Sequence, residues 1–441
     1  MSAPCIPGGT LPAHVVVTPQ KNHAILYNTF DNWQPRLGLA YRLRPATVLR
    51  ASAGRYFDNW ADTLQKSTDQ QGTWPDVTFL QNNSLNHPTL QSPTPTAFAQ
   101  DPFNFGSAPQ ILPSPTPFGQ ATTFVDPNYQ NPYSIQWNFG IQHELGPNTV
   151  IEANYVGAHD SRLETGFYRN VAVTPGPGDP QLRAPYPYIA PTWYDESVGR
   201  SSYNAFQFKM ERRSHAVNYL VSYTYSKAMD IGCDNYTASE GCSVVNPYNF
   251  DGNKSVAGFD VTHLLSVAGV YQLPFGKGQR FQSGSPAVNA IVGNWSFNGI
   301  FTARSGAPFN ISINGDVANT GNLGYYERPD IIGPAYDTPR TATHFLNTAS
   351  IVSPQPETFG NMGRNFLRTP HVTNSDLSLF KIIPLPFSEA TKLEFRAEFF
   401  NAFNFQALGQ PDSTLGDPAF GQVSQTAQTE REIQFALKLY F

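Results

Sequence analysis

The chain has 441 residues with 32 Phe, 21 Tyr, 6 Trp, 34 Gly and 38 Pro, and only 14% of it is charged. This composition favours β structure with many turns over a helix bundle. A net charge of -5 provides no basic field for a nucleic-acid partner, and no run approaches the roughly 20 apolar residues of a spanning helix, so any membrane role falls to a barrel.

The N-terminal segment MSAPCIPGGT has neither a basic region nor an apolar stretch and does not resemble a secretory signal peptide. The first strands are expected at 36–43, where Leu37, Leu39, Tyr41 and Leu43 alternate with Arg36, Gly38, Ala40, Arg42 and Arg44, and at 47–57. Alternation of this kind puts each set on its own face of a sheet. It is clearest at 133–144, where Tyr133, Ile135, Trp137, Phe139 and Ile141 interleave with Ser134, Gln136, Asn138, Gly140 and Gln142. Further strands are expected at 149–159, 203–212, 216–227, 261–272, 294–304, 373–382, 391–402 and 431–441.

Two of these carry the most information. In 391–402, Leu393, Phe395, Ala397 and Phe399 oppose Lys392, Glu394, Arg396 and Glu398; four successive ionisable positions suit a polar lumen or a solvated face, and not a small dry core. In 431–441, Ile433, Phe435, Leu437, Leu439 and Phe441 oppose Gln434, Ala436, Lys438 and Tyr440. Taken alone, such a strand fits either a soluble core or a lipid-facing wall. Gln136 and Asn138 join the candidate lumen-facing residues.

The connections separate the two readings. Pro45 to Ala46, Gly146 to Asn148 and Arg213 to His215 are tight, Pro384 to Ala390 is short, and Pro274 to Gly293 is the one extended member of this set. The alternate connections are long and polar: 58–132, 160–202, 228–260, 305–372 and 403–430. Short turns on one rim and long loops on the other are the pattern of outer-membrane barrels. The expected fold is therefore all-β, an antiparallel transmembrane β-barrel wall of about 11 strands, with tight turns periplasmic and long loops extracellular. Tyr133, Tyr203, Tyr225, Trp295 and Tyr440 are candidates for its interfacial aromatic girdles. An odd strand count with two free edges leads us to expect a longer protein, the chain being its later part.

The segments QPRLGLAYRL from Gln34, NPYSIQWNFGIQHEL from Asn131, TVIEANYVGAHDSRL from Thr149, LVSYTYSKAMD from Leu220, FTARSGAPFNI from Phe301, RTPHVTNSDLSLFK from Arg368 and LEFRAEFFNAFNF from Leu393, in this order and with the terminal Phe441, resemble the barrel of TonB-dependent outer-membrane receptors. The resemblance is to the Oar-like group with a carboxypeptidase-regulatory-like N-terminal domain, and it covers most of the chain. It implies a barrel of about 22 strands, of which residues 1–441 would supply the C-terminal part, with the plug domain, the signal peptide and the segment that engages TonB lying elsewhere. It also implies that Ile433, Phe435, Leu437, Leu439 and Phe441 form the signal read by the barrel-assembly machinery, and that the partners are outer-membrane lipid, the TonB system and an unidentified ligand.

Catalytic motifs are absent: there is no G-x-S-x-G, H-E-x-x-H or Walker loop, and the nine His show no ligand spacing. Neither enzyme activity, a metal nor a cofactor is expected. Cys233 and Cys242 form a candidate disulfide in a predicted external loop, the alternative being two unrelated thiols. Asp230, Asp234 and Glu240 match no calcium-loop spacing and read as solvated carboxylates. A second function class remains, a secreted β-rich glycan-binding or adhesion protein; Trp60, Trp74, Tyr186, Tyr188 and Trp193 would then stack on sugars.

Overall fold

The computed structural model describes residues 31–58, 123–126, 128–185, 187, 191–231, 244–322, 327–386 and 391–441. Eleven long strands follow one another in chain order across a single sheet: β1 (Arg36–Arg44), β2 (Thr47–Phe57), β3 (Tyr133–Gly146), β4 (Thr149–Arg169), β5 (Thr192–Arg213), β6 (Val217–Asp230), β7 (His263–Gln272), β8 (Trp295–Arg304), β9 (Val372–Pro384), β10 (Lys392–Phe400) and β11 (Glu432–Tyr440). Each pairs antiparallel with the next. Two short strands lie off this path, Thr123–Val125 beside β5 and Ser255–Val256 beside β6. Among the described residues the sheet is open, with β1 and β11 as its edges.

All eleven expected strands are present, and two are longer than alternation indicates. β4 and β5 remain paired up to Arg169 and Thr192, beyond a pair of register shifts at Ser161/Leu163 and Leu163/Thr165. The bulge at Arg162, with φ of 60°, breaks the period-2 pattern, so the extension is not visible as alternation. The extended connection after β7 contains a short helix, Pro286–Val292, which the all-β expectation omits. Ser285 caps it by accepting from Val288 N at 3.5 Å, and Pro286 occupies its first turn.

Directly opposed residues share a face, so the register carries the two faces from edge to edge. One row runs Tyr41, Leu49, Ile141, Ala153, Phe208, Tyr223, Leu265 and Ala303. Another ends Phe297, Leu379, Ala397 and Phe435. This apolar face stays uncovered, with Leu37 79% exposed and Leu437 68%; a continuous apolar surface of this extent requires lipid as its solvent. Trp295 packs edge-on against Phe395 at 6.3 Å between centroids, and Phe395 stacks on Phe435 at 6.3 Å. Gly157 is required on this face: a Cβ there would meet the Trp137 indole at 2.2 Å. Of the girdle candidates, Tyr133, Tyr225 and Trp295 lie on the apolar face. Tyr203 and Tyr440 lie on the opposite one, because they are paired with Ala158 and Lys392.

Among the described residues the buried apolar cluster lies outside the wall. The connections 305–371 and 401–431, expected as long polar loops, fold together into a cap at the long-loop rim. Phe345 and Leu367 are completely buried, surrounded by Phe309, Ile311, Leu346 and Ile351. Short ladders hold it: Pro308–Phe309 with Leu367–Arg368, Ser312–Ile313 with Thr414–Leu415, and Asp330–Ile331 with Ile351–Val352.

Candidate functional site

The polar face of the sheet and the cap above it form the candidate site. Lys392, Glu394, Arg396 and Glu398 stand opposite Tyr440, Lys438, Ala436 and Gln434. Arg396 Nε bonds Glu394, and the Tyr440 hydroxyl donates to Glu394 Oε2 at 3.2 Å. The Lys392 and Lys438 ammonium groups each lie 4.9 Å from the centre of the Tyr440 ring. Lys392, Glu394 and Arg396 therefore gather with Lys438 around one aromatic ring, while Glu398 stands farther along the strand opposite Gln434.

Gln136 and Asn138 share that face, opposite Ala158 and Val156. Asn138 donates to Ser52 Oγ at 2.7 Å and Gln136 to Ser134 Oγ at 3.1 Å. Nearer the tight-turn rim, Gln142, Glu144, Glu152, Lys209, Glu211 and Arg213 line a concavity of about 380 Å³. There Lys209 pairs with Glu211 at 3.1 Å and Arg213 bonds the same carboxylate. Leu220, Val270 and Ile300 interrupt the polar character along the middle strands.

The cap lies on the polar side of the rim. At the end of β6, Ser226, Ala228 and Asp230 are buried while Tyr225 and Lys227 are exposed and Met229 is half-buried. Only cover on the polar face produces that alternation. Two arginines hold the cap down. Arg364, 1% exposed, bonds Asp230 through its carboxylate and its carbonyl (3.1 Å), and bonds Asn253 O at 3.2 Å. Burial lowers the Arg364 guanidinium to about 10, so it stays charged at neutral pH. Arg368 bonds the Asp260 carboxylate and donates to Gly306 O at 3.1 Å, while Asp260 accepts from Ala228 N at 2.7 Å.

The cap also gathers the other connections. In its turn 316–322, Asn319 Nδ2 donates to Gly176 O at 2.8 Å and Gly178 O at 2.7 Å, and Thr320 O accepts from Ala172 N at 2.8 Å. Asn322 Nδ2 reaches Val244 O and Val245 O at 3.1 and 3.2 Å. This turn thus ties the β4–β5 and β6–β7 connections to the cap.

Ile433, Phe435, Leu437 and Leu439 occupy the apolar face of β11, and Phe441 is 98% exposed. Cys233, Cys242, Asp234, Glu240, Trp60, Trp74, Tyr186 and Tyr188 lie outside the described residues; Trp193 lies in β5 opposite Tyr168. Among the described residues no group of three or more His, Cys, Asp or Glu is gathered to hold a metal ion. Sequence reasoning missed Arg364, Arg368 and the cap core. The signal available was the apolar content of 305–371, where Phe345-Leu346 and Ile351-Val352 interrupt an otherwise polar segment.

The family described as "Outer membrane beta barrel domain" matches residues 5–434. No curated protein matches the sequence. Among solved structures, the chain is similar to the outer membrane transporter YddB from Escherichia coli (9% identity, TM-score 0.44, covering 90% of this chain and 38% of that one). It is also similar to the siderophore receptor PirA from Acinetobacter baumannii (10%, 0.43, 93% and 41%) and to the FrpB iron transporter from Neisseria meningitidis (8%, 0.41, 92% and 38%). The chain spans about two fifths of the length of each.

Proposed function

The chain belongs to the outer membrane beta-barrel domain family and resides in the outer membrane, and on that premise we propose that its sheet is the C-terminal part of the barrel wall of an Oar-like TonB-dependent receptor. In this reading the apolar face meets lipid, the tight turns face the periplasm and the cap faces outward. A solute is received at the cap and passes along the polar face. Lys392, Glu394, Arg396, Glu398, Gln136 and Asn138 line the lumen, and Ile433, Phe435, Leu437, Leu439 and Phe441 guide assembly. A plug and a TonB-engaging segment, contributed from outside this sheet, supply gating and energy.

The observation that supports reception and transport is the alternate burial at the end of β6: a folded cap, held by Arg364, roofs the polar face and leaves the apolar face bare. A glycan-binding secreted protein has no need of an uncovered apolar face. The reading is tested in the native organism by disrupting the gene and following depletion of ferric siderophores, oligopeptides and oligosaccharides from the medium. Uptake of at least one of these should require both the gene and inner-membrane energy. If none does, the transport reading fails.

A further inference from the structure

The extended connection on the tight-turn rim, between β7 and β8, is held together by its own bonds. Gly276 packs on Gly293, where a Cβ would meet the Gly293 Cα at 2.6 Å, and Gly276 N donates to Phe281 O at 3.1 Å. Asn289 fastens the helix Pro286–Val292 to the turn before it, accepting from Ser283 N at 2.8 Å and donating to Ser283 O at 2.7 Å. Asn289 is half-buried, and every other residue of the helix is exposed. The helix therefore turns its one polar side chain inward and presents Ala287, Val288, Ala290, Ile291 and Val292 outward, Ile291 being 70% exposed. A helix apolar on its uncovered sides calls for an apolar medium. Phe275 and Phe281 enlarge the patch, both exposed and with ring centroids 5.5 Å apart.

The helix is tied to the lipid side of the wall. Trp295 Nε1 donates to Ile291 O at 2.9 Å, and Lys381 Nζ donates to Ile291 O and Gly293 O, each at 2.8 Å. Trp295 and Lys381 are directly opposed in the register, and Lys381 is opposed to Phe395, which places both on the apolar face. The ammonium also lies 4.9 Å from the centre of the Trp295 ring. A lysine on that face is thereby accounted for: its stem covers apolar surface and its charge meets the negative end of the helix. The same bonds satisfy carbonyl groups that lipid could not. The segment 273–294 has no Asp or Glu, and its two charged residues, Lys277 and Arg280, are exposed cations.

We propose that the connection 273–294 is a membrane-surface anchor seated in the phospholipid leaflet at the tight-turn rim, with Phe275, Phe281, Val288 and Ile291 entering the acyl region and Lys277 and Arg280 meeting headgroup phosphates. This rests on the reading that the apolar face meets lipid and the tight turns face the periplasm. Lipid is selected over a protein partner because the patch is continuous with the lipid-facing wall through Trp295 and Lys381, and because its charges are complementary to phosphate. The helix of seven residues is only about 10 Å long, so it lies along the surface and does not cross. Seated there, it fixes the height of β7, β8 and β9 in the bilayer.

The test is spin-label accessibility on the full-length gene product, its native cysteines changed to Ser, in vesicles of phosphatidylethanolamine and phosphatidylglycerol. Phe281→Cys, Val288→Cys and Ile291→Cys are labelled singly, and heat-modifiable mobility confirms that each has folded. Leu437→Cys serves as the lipid reference and Gln355→Cys, exposed in the cap, as the water reference. Labels at Phe281, Val288 and Ile291 should collide more with oxygen than with a water-soluble nickel chelate, as at Leu437 and opposite to Gln355. Collision mainly with the chelate would leave the patch in water, and shielding from both reagents would mean that a second copy or another protein covers it. Either result, with Leu437→Cys still reading lipid, overturns the anchor alone. A water reading at Leu437→Cys overturns the lipid-facing wall and the anchor with it.

Discussion

Replacing Arg364 with Met removes the guanidinium that joins the cap to the wall while keeping most of the side-chain volume. Three bonds are lost, to the Asp230 carboxylate, the Asp230 carbonyl and the Asn253 carbonyl. The Asp230 side chain, 9% exposed, is left charged and without its partner. Breaking a buried pair from one side costs about 3–5 kcal/mol, equivalent to roughly a 10²- to 10⁴-fold shift in the cap's docking equilibrium. Changing Asp230 to Leu as well removes the orphaned charge, and the double variant should recover to within about 1–2 kcal/mol of wild type, because buried pairs exchange for apolar pairs at little net cost. Hydrogen exchange at Val256 and Asn365, normalised to amides in β10, reports docking separately from the wall. The reasoning is refuted if Arg364→Met leaves cap protection within threefold of wild type, or if the double variant is no better protected than the single one.

Three further outcomes follow from the packing. Phe435→Arg places a cation on the lipid face opposite Ala397 and should cost about 2–4 kcal/mol near mid-membrane, read as loss of the heat-modifiable band on detergent gels; an Arg at Gln434, on the polar face, should retain it. Gly157→Ala would put its Cβ 2.2 Å from the Trp137 ring, so the indole must swing away; a loss of about 1–3 kcal/mol is expected, with a shift in tryptophan emission absent from Gly146→Ala, where a Cβ meets nothing within 4 Å. Phe345→Ala empties the centre of the cap core, where Phe345 is fully buried and lies edge-on to Tyr336 at 5.7 Å. A cost of about 3–5 kcal/mol should expose the cap to protease while the wall stays resistant, and simultaneous loss of both would show that the cap is not a separate packing unit.

The wall was legible in the sequence because its two faces meet different media, and that difference repeats every second residue. Tyr133 to Ile141 and Lys392 to Phe399 carry the pattern undiluted, so their strands and their partners in the sheet follow from the residues. The upper parts of β4 and β5 were hidden by the bulge around Arg162, which shifts the alternation out of phase. The cap was hidden for another reason. Its strands are two residues long and pair over large sequence distances, as Phe309 does with Leu367 and Ile313 with Leu415, so no local period records them. Arg364 carries no local signal because its partner, Asp230, lies 134 residues away.

Among the described residues β1 and β11 are free edges of the sheet, which has a consequence in direction. Every neighbouring pair is antiparallel, so β1 and β11 run the same way, both toward the tight-turn rim. A second copy of this sheet, inserted upright beside the first, would therefore meet it parallel at both seams. Closure with antiparallel pairing throughout requires an odd number of additional strands whose outermost members both run toward the cap. Strands that closed this sheet with antiparallel pairing would thus be complementary to it in direction, and not a duplicate of it.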